Sequence, residues 1–211
     1  MITLYGTPRS RALRVSWLLE ELGIDWTFSF INFSKGDNRS DSFLALNPSG
    51  KIPVISDDDL VLTESAAICQ YLAEKYGEGR FLPSAGTTNA GHYHQWVSFI
   101  ICELEQPLWT MGKHKFALPD EQRQPCILPV AKWEFDKAAA LAEAMMPNTP
   151  YLLGDELSVA DILLAHTLMW ATVFEQTLPP KLTAFRDRLQ TRPALAKALA
   201  KTEAIAAQDT P

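Results

Sequence analysis

Apolar positions along the chain change period more than once. Residues 2–5 read as a short strand. Over 11–22 the apolar side chains recur at helical spacing, with Leu13 and Trp17 on one face and Val15, Leu18, Leu19 and Leu22 close to it. Gly23 follows as a helix stop. Residues 26–31 mix aromatic and β-branched side chains and predict a second strand. Residues 34–46 are polar, then weakly helical. Two short strands, 53–56 and 60–62, flank the turn Asp57-Asp58-Asp59, and 64–76 is a helix ending at Gly77. The order is β-α-β, an irregular segment, then β-β-α, which predicts a small sheet with helices over 1–77.

The pattern then changes character. Gly77, Gly79, Pro83, Ser84 and Gly86 punctuate a linker over 78–88. Beyond it no segment reads as a strand. Residues 90–105 are helical, and Pro107 is expected to end or bend that helix. Residues 127–146 are helical with Pro129 near the first turn, 158–176 form a third long helix, and shorter ones start at Lys181 and Pro193. An all-helical domain over 89–211 is the prediction. Ser158 and Asp161 stand at capping-box spacing, with Leu157 and Ile162 placed as the flanking hydrophobic staple. That pair is a folding element. The fold class is α/β followed by all-α, the first part in a thioredoxin-like arrangement.

Composition narrows the function classes. The chain has 211 residues, 47% hydrophobic and 21% charged, with a formal net charge of −6. The negative charge argues against nucleic acid and against an anionic membrane surface. No apolar run reaches the roughly 18 residues of a membrane span. The first residues read as a strand rather than a targeting segment, so a cytoplasmic protein is expected. Three scattered cysteines, Cys69, Cys102 and Cys126, fit buried thiols in a reducing compartment. His92 and His94 are two apart and point to different helix faces, so no metal site is expected.

The chemistry concentrates in Asn47-Pro48-Ser49-Gly50-Lys51-Ile52-Pro53-Val54 and Thr63-Glu64-Ser65. Pro53 lies in an apolar run that otherwise reads as a strand. It cannot donate to a ladder, so an edge strand or a special turn is required, and an X-Pro bond is the one peptide bond readily found in cis. Ser65 stands at the first turn of a helix, where backbone N–H groups and the dipole favour an anion. Read singly, Ser65 is a helix cap and Glu64 a first-turn charge. Read together, the segments are two fixed points for a small peptide.

In this order and spacing, with Glu64-Ser65, the capping box and the start Thr7-Pro8-Arg9-Ser10-Arg11-Ala12, the chain resembles the cytosolic glutathione transferase superfamily over essentially its whole length. The resemblance implies glutathione as co-substrate, with no metal. Glu64 would accept from the γ-glutamyl ammonium and Ser65 would hold its α-carboxylate. The Ile52 backbone beside Pro53 would pair with the cysteinyl unit as a strand does. Lys51, with Lys35 as a weaker candidate, would meet the glycine carboxylate. The resemblance also implies a homodimer.

The reaction implied is thiolate attack on a small hydrophobic electrophile. A free thiol has a pKa of about 8.5, and lowering it to about 6.5 asks roughly 2.7 kcal/mol of the site. Ser10, between the first strand and the first helix and next to Arg11, is the first candidate donor to the sulfur. Tyr5 is the second and Thr7 the third. No cysteine occurs in this loop, which disfavours a glutaredoxin-like mechanism. Exchange between two glutathiones, as in a disulfide reductase or peroxidase, stays open, as does a non-catalytic binding module. Trp96, Ile100, Glu103 and Trp109 are the candidate lining of the electrophile pocket, against the competing reading that aromatics at helical spacing are core.

Overall fold

The computed structural model describes residues 1–209, which form two compact units: residues 1–82 together with the segment that follows Gln190, and residues 83–190. The first unit is built on a four-stranded sheet of β1 (Ile2–Gly6), β2 (Trp26–Phe30), β3 (Val54–Asp57) and β4 (Leu60–Thr63), in the order β2-β1-β3-β4. β1 and β2 pair in parallel, and the other two pairings are antiparallel. Helix α1 (Ala12–Leu22) makes the β1-to-β2 crossover and ends at Gly23, whose φ of +70° needs no Cβ. Helix α2 (Asp41–Leu46) fills the segment before β3, and α3 (Ser65–Tyr76) follows β4. The α/β order read from the sequence is the observed one.

The core of this unit follows the alternation of the strands. Ile2, Leu4, Phe28 and Ile55 are buried with Val15, Leu18 and Leu19 of α1 and Ile68 and Leu72 of α3. Tyr5, Leu46 and Ile52 pack against a smaller cluster of Ile31, Phe43 and Val54. Asp57 ends β3 as a buried carboxylate. It accepts from Tyr71 Oη at 2.7 Å, Tyr76 Oη at 2.7 Å and Lys75 Nζ at 2.8 Å, which ties β3 to the last turn of α3. Burial opposes its ionised form, and the donors from Lys75, Tyr76 and Tyr71 overcome that and hold it below the usual carboxylate range.

The second unit contains α4 (Thr88–Phe99), α5 (Glu105–Gly112), α6 (Leu128–Met145), α7 (Val159–Val173) and α8 (Pro180–Gln190). Pro107 does not end the helix. It lies inside α5, directly after a π-helical turn over Ile100–Leu104 in which the Glu105 N–H reaches back to the Ile100 carbonyl. The widened turn accommodates the ring and the missing donor, and the helix continues. The capping box forms at the start of α7. Asp161 accepts from Ser158 N and Leu152 N, each at 2.8 Å, and from the Ser158 hydroxyl. Burial pushes the Asp161 carboxyl up to about 6, against the pull of these donors.

The final helix, α9 (Pro193–Gln208), departs from the expected helical domain of 89–211, because it packs on α1 and β2 of the first unit. The contact is specific. Lys201 Nζ donates to the Trp26 carbonyl at 2.6 Å and lies 3.8 Å from the centre of its ring, and Arg192 pairs with Glu21 at 2.8 Å. The expectation of buried thiols holds for Cys69 alone. Cys102 and Cys126 are exposed, and all three are free thiols. No described helix is long and apolar enough to cross a membrane. No group of three His, Cys, Asp or Glu residues among the described residues is placed to hold a metal ion.

Candidate functional site

Strand register gathers the candidate residues at one edge of the sheet. Ser29, Tyr5, Val54 and Thr63 form a row of paired residues across β2, β1, β3 and β4. Beyond that row, Pro53 before β3 and Glu64 after β4 stand one residue on, and Thr7 after β1 and Ile31 after β2 stand two residues on. Segments far apart in sequence therefore meet because each leaves or enters the sheet at the same end.

The β1–α1 loop is held by its own hydroxyls. Thr7 Oγ1 donates to the Ile31 carbonyl at 2.8 Å. Ser10 Oγ donates to the Thr7 carbonyl at 2.6 Å and accepts from the Ala12 N–H at 3.1 Å, so it caps the start of α1. Close packing needs glycine at position 6, because a Cβ there would lie 2.5 Å from the Ala12 Cβ. Arg9 is in the left-handed region with φ +58° and pairs with Glu203 of α9 at 2.7 Å. The Tyr5 ring meets Phe43 edge-on at 6.5 Å, on the side that carries Ile52 and Val54.

Ahead of β3, the Asn47 side chain organises a tight turn. It donates to the Lys51 carbonyl at 2.7 Å and accepts from Ser49 N at 3.1 Å and Ser49 Oγ at 2.8 Å. Gly50 takes φ +65°, and its carbonyl accepts from Asn38 Nδ2 at 3.0 Å. The Ile52–Pro53 bond is cis, and Pro53 is buried. Lys51 is exposed at the rim.

Across the sheet edge, Glu64 has φ +66° and ψ +106°, outside the regions a side chain ordinarily occupies, and it makes no side-chain cap for α3. Ser65 is thus the first residue of a helix whose N-terminal donors lack that cap. Its side chain is buried, and its hydroxyl accepts from Arg14 Nη1 at 3.2 Å. Arg14 has no exposed surface. Cys69 lies one turn further along α3. Burial pushes its thiol up to about 12, the Arg14 charge opposing the shift, so it is an unreactive packing group. Sequence reasoning passed over Arg14. Its signal was a cation among apolar residues on the buried side of α1.

Other candidates lie apart. The Lys35 ammonium is engaged by Asp209, at 2.8 Å from its carbonyl and 3.0 Å from its carboxylate. In the second unit Trp96 and Ile100 are buried, Glu103 is exposed, and Trp109 is partly buried with its ring 6.5 Å from that of Trp170. Trp96 and Ile100 take the packing role that helical spacing gives most aromatics and aliphatics.

The edge therefore offers an uncapped helix start backed by a buried cation, an exposed carboxylate at Glu64, an exposed lysine at Lys51 and a hydroxyl at the first turn of α1. Such a set suits an extended zwitterionic peptide with a carboxylate at each end.

Comparison with known proteins gives the family of the chain. The family model described as "Glutathione S-transferase, N-terminal domain" matches residues 1–74, and "Glutathione S-transferase, C-terminal domain" matches residues 99–193. Glutathione S-transferase GstB of Escherichia coli K12 is 31% identical over 204 residues, covering 93% of this chain and 97% of the relative. Disulfide-bond oxidoreductase YfcG of the same strain is 28% identical over 215 residues, covering 96% of each chain. A solved glutathione transferase homolog from Lodderomyces elongisporus, with two GSH per subunit, superposes with a TM-score of 0.83 at 28% identity, covering 94% of this chain and 97% of that one.

Proposed function

We propose that this chain, which belongs to the glutathione S-transferase family, binds glutathione along the sheet edge and activates its thiol for attack on a small hydrophobic electrophile. The observation that carries the reading is the Glu64–Ser65 corner. A non-glycine residue at φ +66° presents the uncapped start of α3 beside the Asn47–Pro53 turn. Strain of this kind, of order 1–3 kcal/mol, persists where surrounding structure enforces it, and it clusters at ligand sites.

In this reading the α-carboxylate of the γ-glutamyl unit accepts from the Ser65 hydroxyl and the first N–H groups of α3, and Glu64 accepts from the ammonium. The cysteinyl unit pairs with the Ile52 backbone next to Pro53. Lys51 meets the glycine carboxylate, because Lys35 is already committed to Asp209. The sulfur reaches the start of α1, where Ser10 and Arg11 favour the thiolate. Ser10 turns its proton from the Thr7 carbonyl to the sulfur, while the Ala12 N–H keeps its oxygen in place. Tyr5 and Thr7 are the alternative donors. On the electrophile side, Glu103 and Trp109 retain accessible surface. A homodimer and a cytoplasmic setting belong to the same reading.

Two measurements test it. Titration calorimetry should show glutathione binding, and the wild type should conjugate a chlorinated nitroaromatic. Absence of binding would end the reading. Binding without turnover across several electrophiles would leave the peptide site and remove the transferase.

A second reading is glutathione-dependent disulfide exchange, with two glutathiones consumed and oxidised glutathione released. The likeness to YfcG over 96% of the chain favours it. Release of oxidised glutathione from a disulfide substrate, without conjugate formation, separates the two.

A further inference from the structure

We propose that Arg14 is a positioning residue for the ligand carboxylate: from inside the first unit it fills one acceptor site of the Ser65 hydroxyl and so commits the Ser65 proton to the ligand. The proposal rests on the role given to Ser65 above.

Donor and acceptor counting carries the argument. A guanidinium has five N–H donors, no acceptor, and a charge that does not titrate near neutrality. A serine hydroxyl has one proton and two lone pairs. Arg14 Nη1 stands 3.2 Å from Ser65 Oγ, both side chains being buried. Ser65 is therefore the acceptor in that bond, and its proton cannot be returned to Arg14. Among the described residues, Ser65 Oγ donates to no protein group. The proton is left for an acceptor at the start of α3, where Glu64 supplies no side-chain cap. The helix dipole and the buried guanidinium have the same sign there, so the acceptor favoured is an anion. A serine or water behind Ser65 would not impose this polarity, and a lysine would impose it with less control of position. A lysine lacks the rigid fork, and a hydroxyl or water can take the proton itself. The Arg14 field extends into α3, since it opposes the burial-driven rise of the Cys69 thiol.

Arg14 thus sets selectivity for a ligand whose γ-linked end keeps its α-carboxylate. The matched probe is the glutathione analogue with 4-aminobutyryl in place of γ-glutamyl, which lacks only that carboxylate. Calorimetry on the full chain compares both peptides with wild type, Arg14→Met, Arg14→Lys, Ser65→Ala and Arg14→Met/Ser65→Ala. Arg14→Met is expected to weaken glutathione binding by about tenfold, the worth of one hydrogen bond to a charged group. It should leave the analogue within about twofold and add nothing once Ser65 is alanine. In conjugation assays the loss should fall on KM rather than kcat. Arg14→Lys keeps the charge on a shorter reach and guards against a folding failure of Arg14→Met. Its smaller loss should also be confined to glutathione. Equal losses for both peptides, or full additivity with Ser65→Ala, would overturn the assignment. Unchanged glutathione affinity in Ser65→Ala alone would instead overturn the peptide-site reading on which it rests.

Discussion

Ser10 donates its hydroxyl to the Thr7 carbonyl at 2.6 Å, while the Ala12 N–H donates back to the same oxygen at 3.1 Å. The oxygen is fixed by the start of α1 and the proton is not, since it can turn to a thiolate at the cost of one neutral hydrogen bond. Thr7 is less suited, because turning its proton would release its hydroxyl from the Ile31 carbonyl, whereas the Ala12 N–H keeps the Ser10 oxygen in place. Ser10→Ala is therefore expected to lower conjugation by roughly 10²-fold, as for loss of one preorganised donor to a developing anion. The fitted pKa of the pH–rate profile should rise towards that of free thiol. If Tyr5→Phe produces that loss and Ser10→Ala does not, the phenol is the donor.

Asp57 and Tyr76 bind β3 to the end of α3, with Tyr71 and Lys75 completing the clasp. Asp57→Ala is expected to cost about 2 kcal/mol or more, since it removes several donors' charged acceptor. The Asp57 carboxyl is held below its ordinary range in the folded state, so its contribution is present above the unfolded value and is lost as pH falls through the folded one. Urea midpoints of wild type and Asp57→Asn should converge in acid and separate towards neutrality. A constant gap would refute this.

The opposite sign applies to Asp161. Its carboxyl, pushed up to about 6 by burial, binds its proton more tightly folded than unfolded. The resulting stability is fully present below the unfolded value of about 4 and declines as pH rises to about 6. The wild type should show that decline relative to Asp161→Asn. Asp161→Ala, which strands the N–H groups of Leu152 and Ser158, should cost about 2–4 kcal/mol by chemical denaturation.

Gly50→Ala tests the turn before β3. A Cβ there would sit 2.9 Å from the Asn38 carbonyl oxygen and 2.9 Å from Arg39 Nη1, on a backbone with φ +65°. The turn must shift, at about 1–3 kcal/mol, carrying Lys51 and Ile52 with it. Weakened glutathione binding is expected along with a lower melting temperature. A loss of stability with unchanged affinity would separate the turn from the site.

The sequence carried the α/β unit clearly because its signals are local. Gly23 stops α1, the aromatic and β-branched residues of 26–31 mark a strand, and Glu64-Ser65 opens a helix. The peptide-site candidates were legible for the same reason, as a compact motif around Pro53. Signals that depend on distant partners were not. Nothing near Lys35 shows that Asp209 engages it, and nothing near Trp96 or Ile100 shows which face of their helix is buried. The helix runs on through Pro107 because a π turn precedes it, and that turn depends on how the helix packs, which local propensity does not record.

Composition, periodicity and motif order by themselves determined an α/β sheet domain followed by helices, with a candidate peptide-binding motif at the β3–β4–α3 segment. Only the tertiary structure decided three further points. Register across β2, β1, β3 and β4 set Thr7, Pro53 and Glu64 at one edge. The last helix packed on α1 and β2, where Lys201 finds the Trp26 carbonyl and ring. Arg14 was buried behind Ser65. The physical reason is common to all three. A hydrogen bond or a buried charge is defined by two groups brought together by packing, and the chain near either group alone does not encode the other.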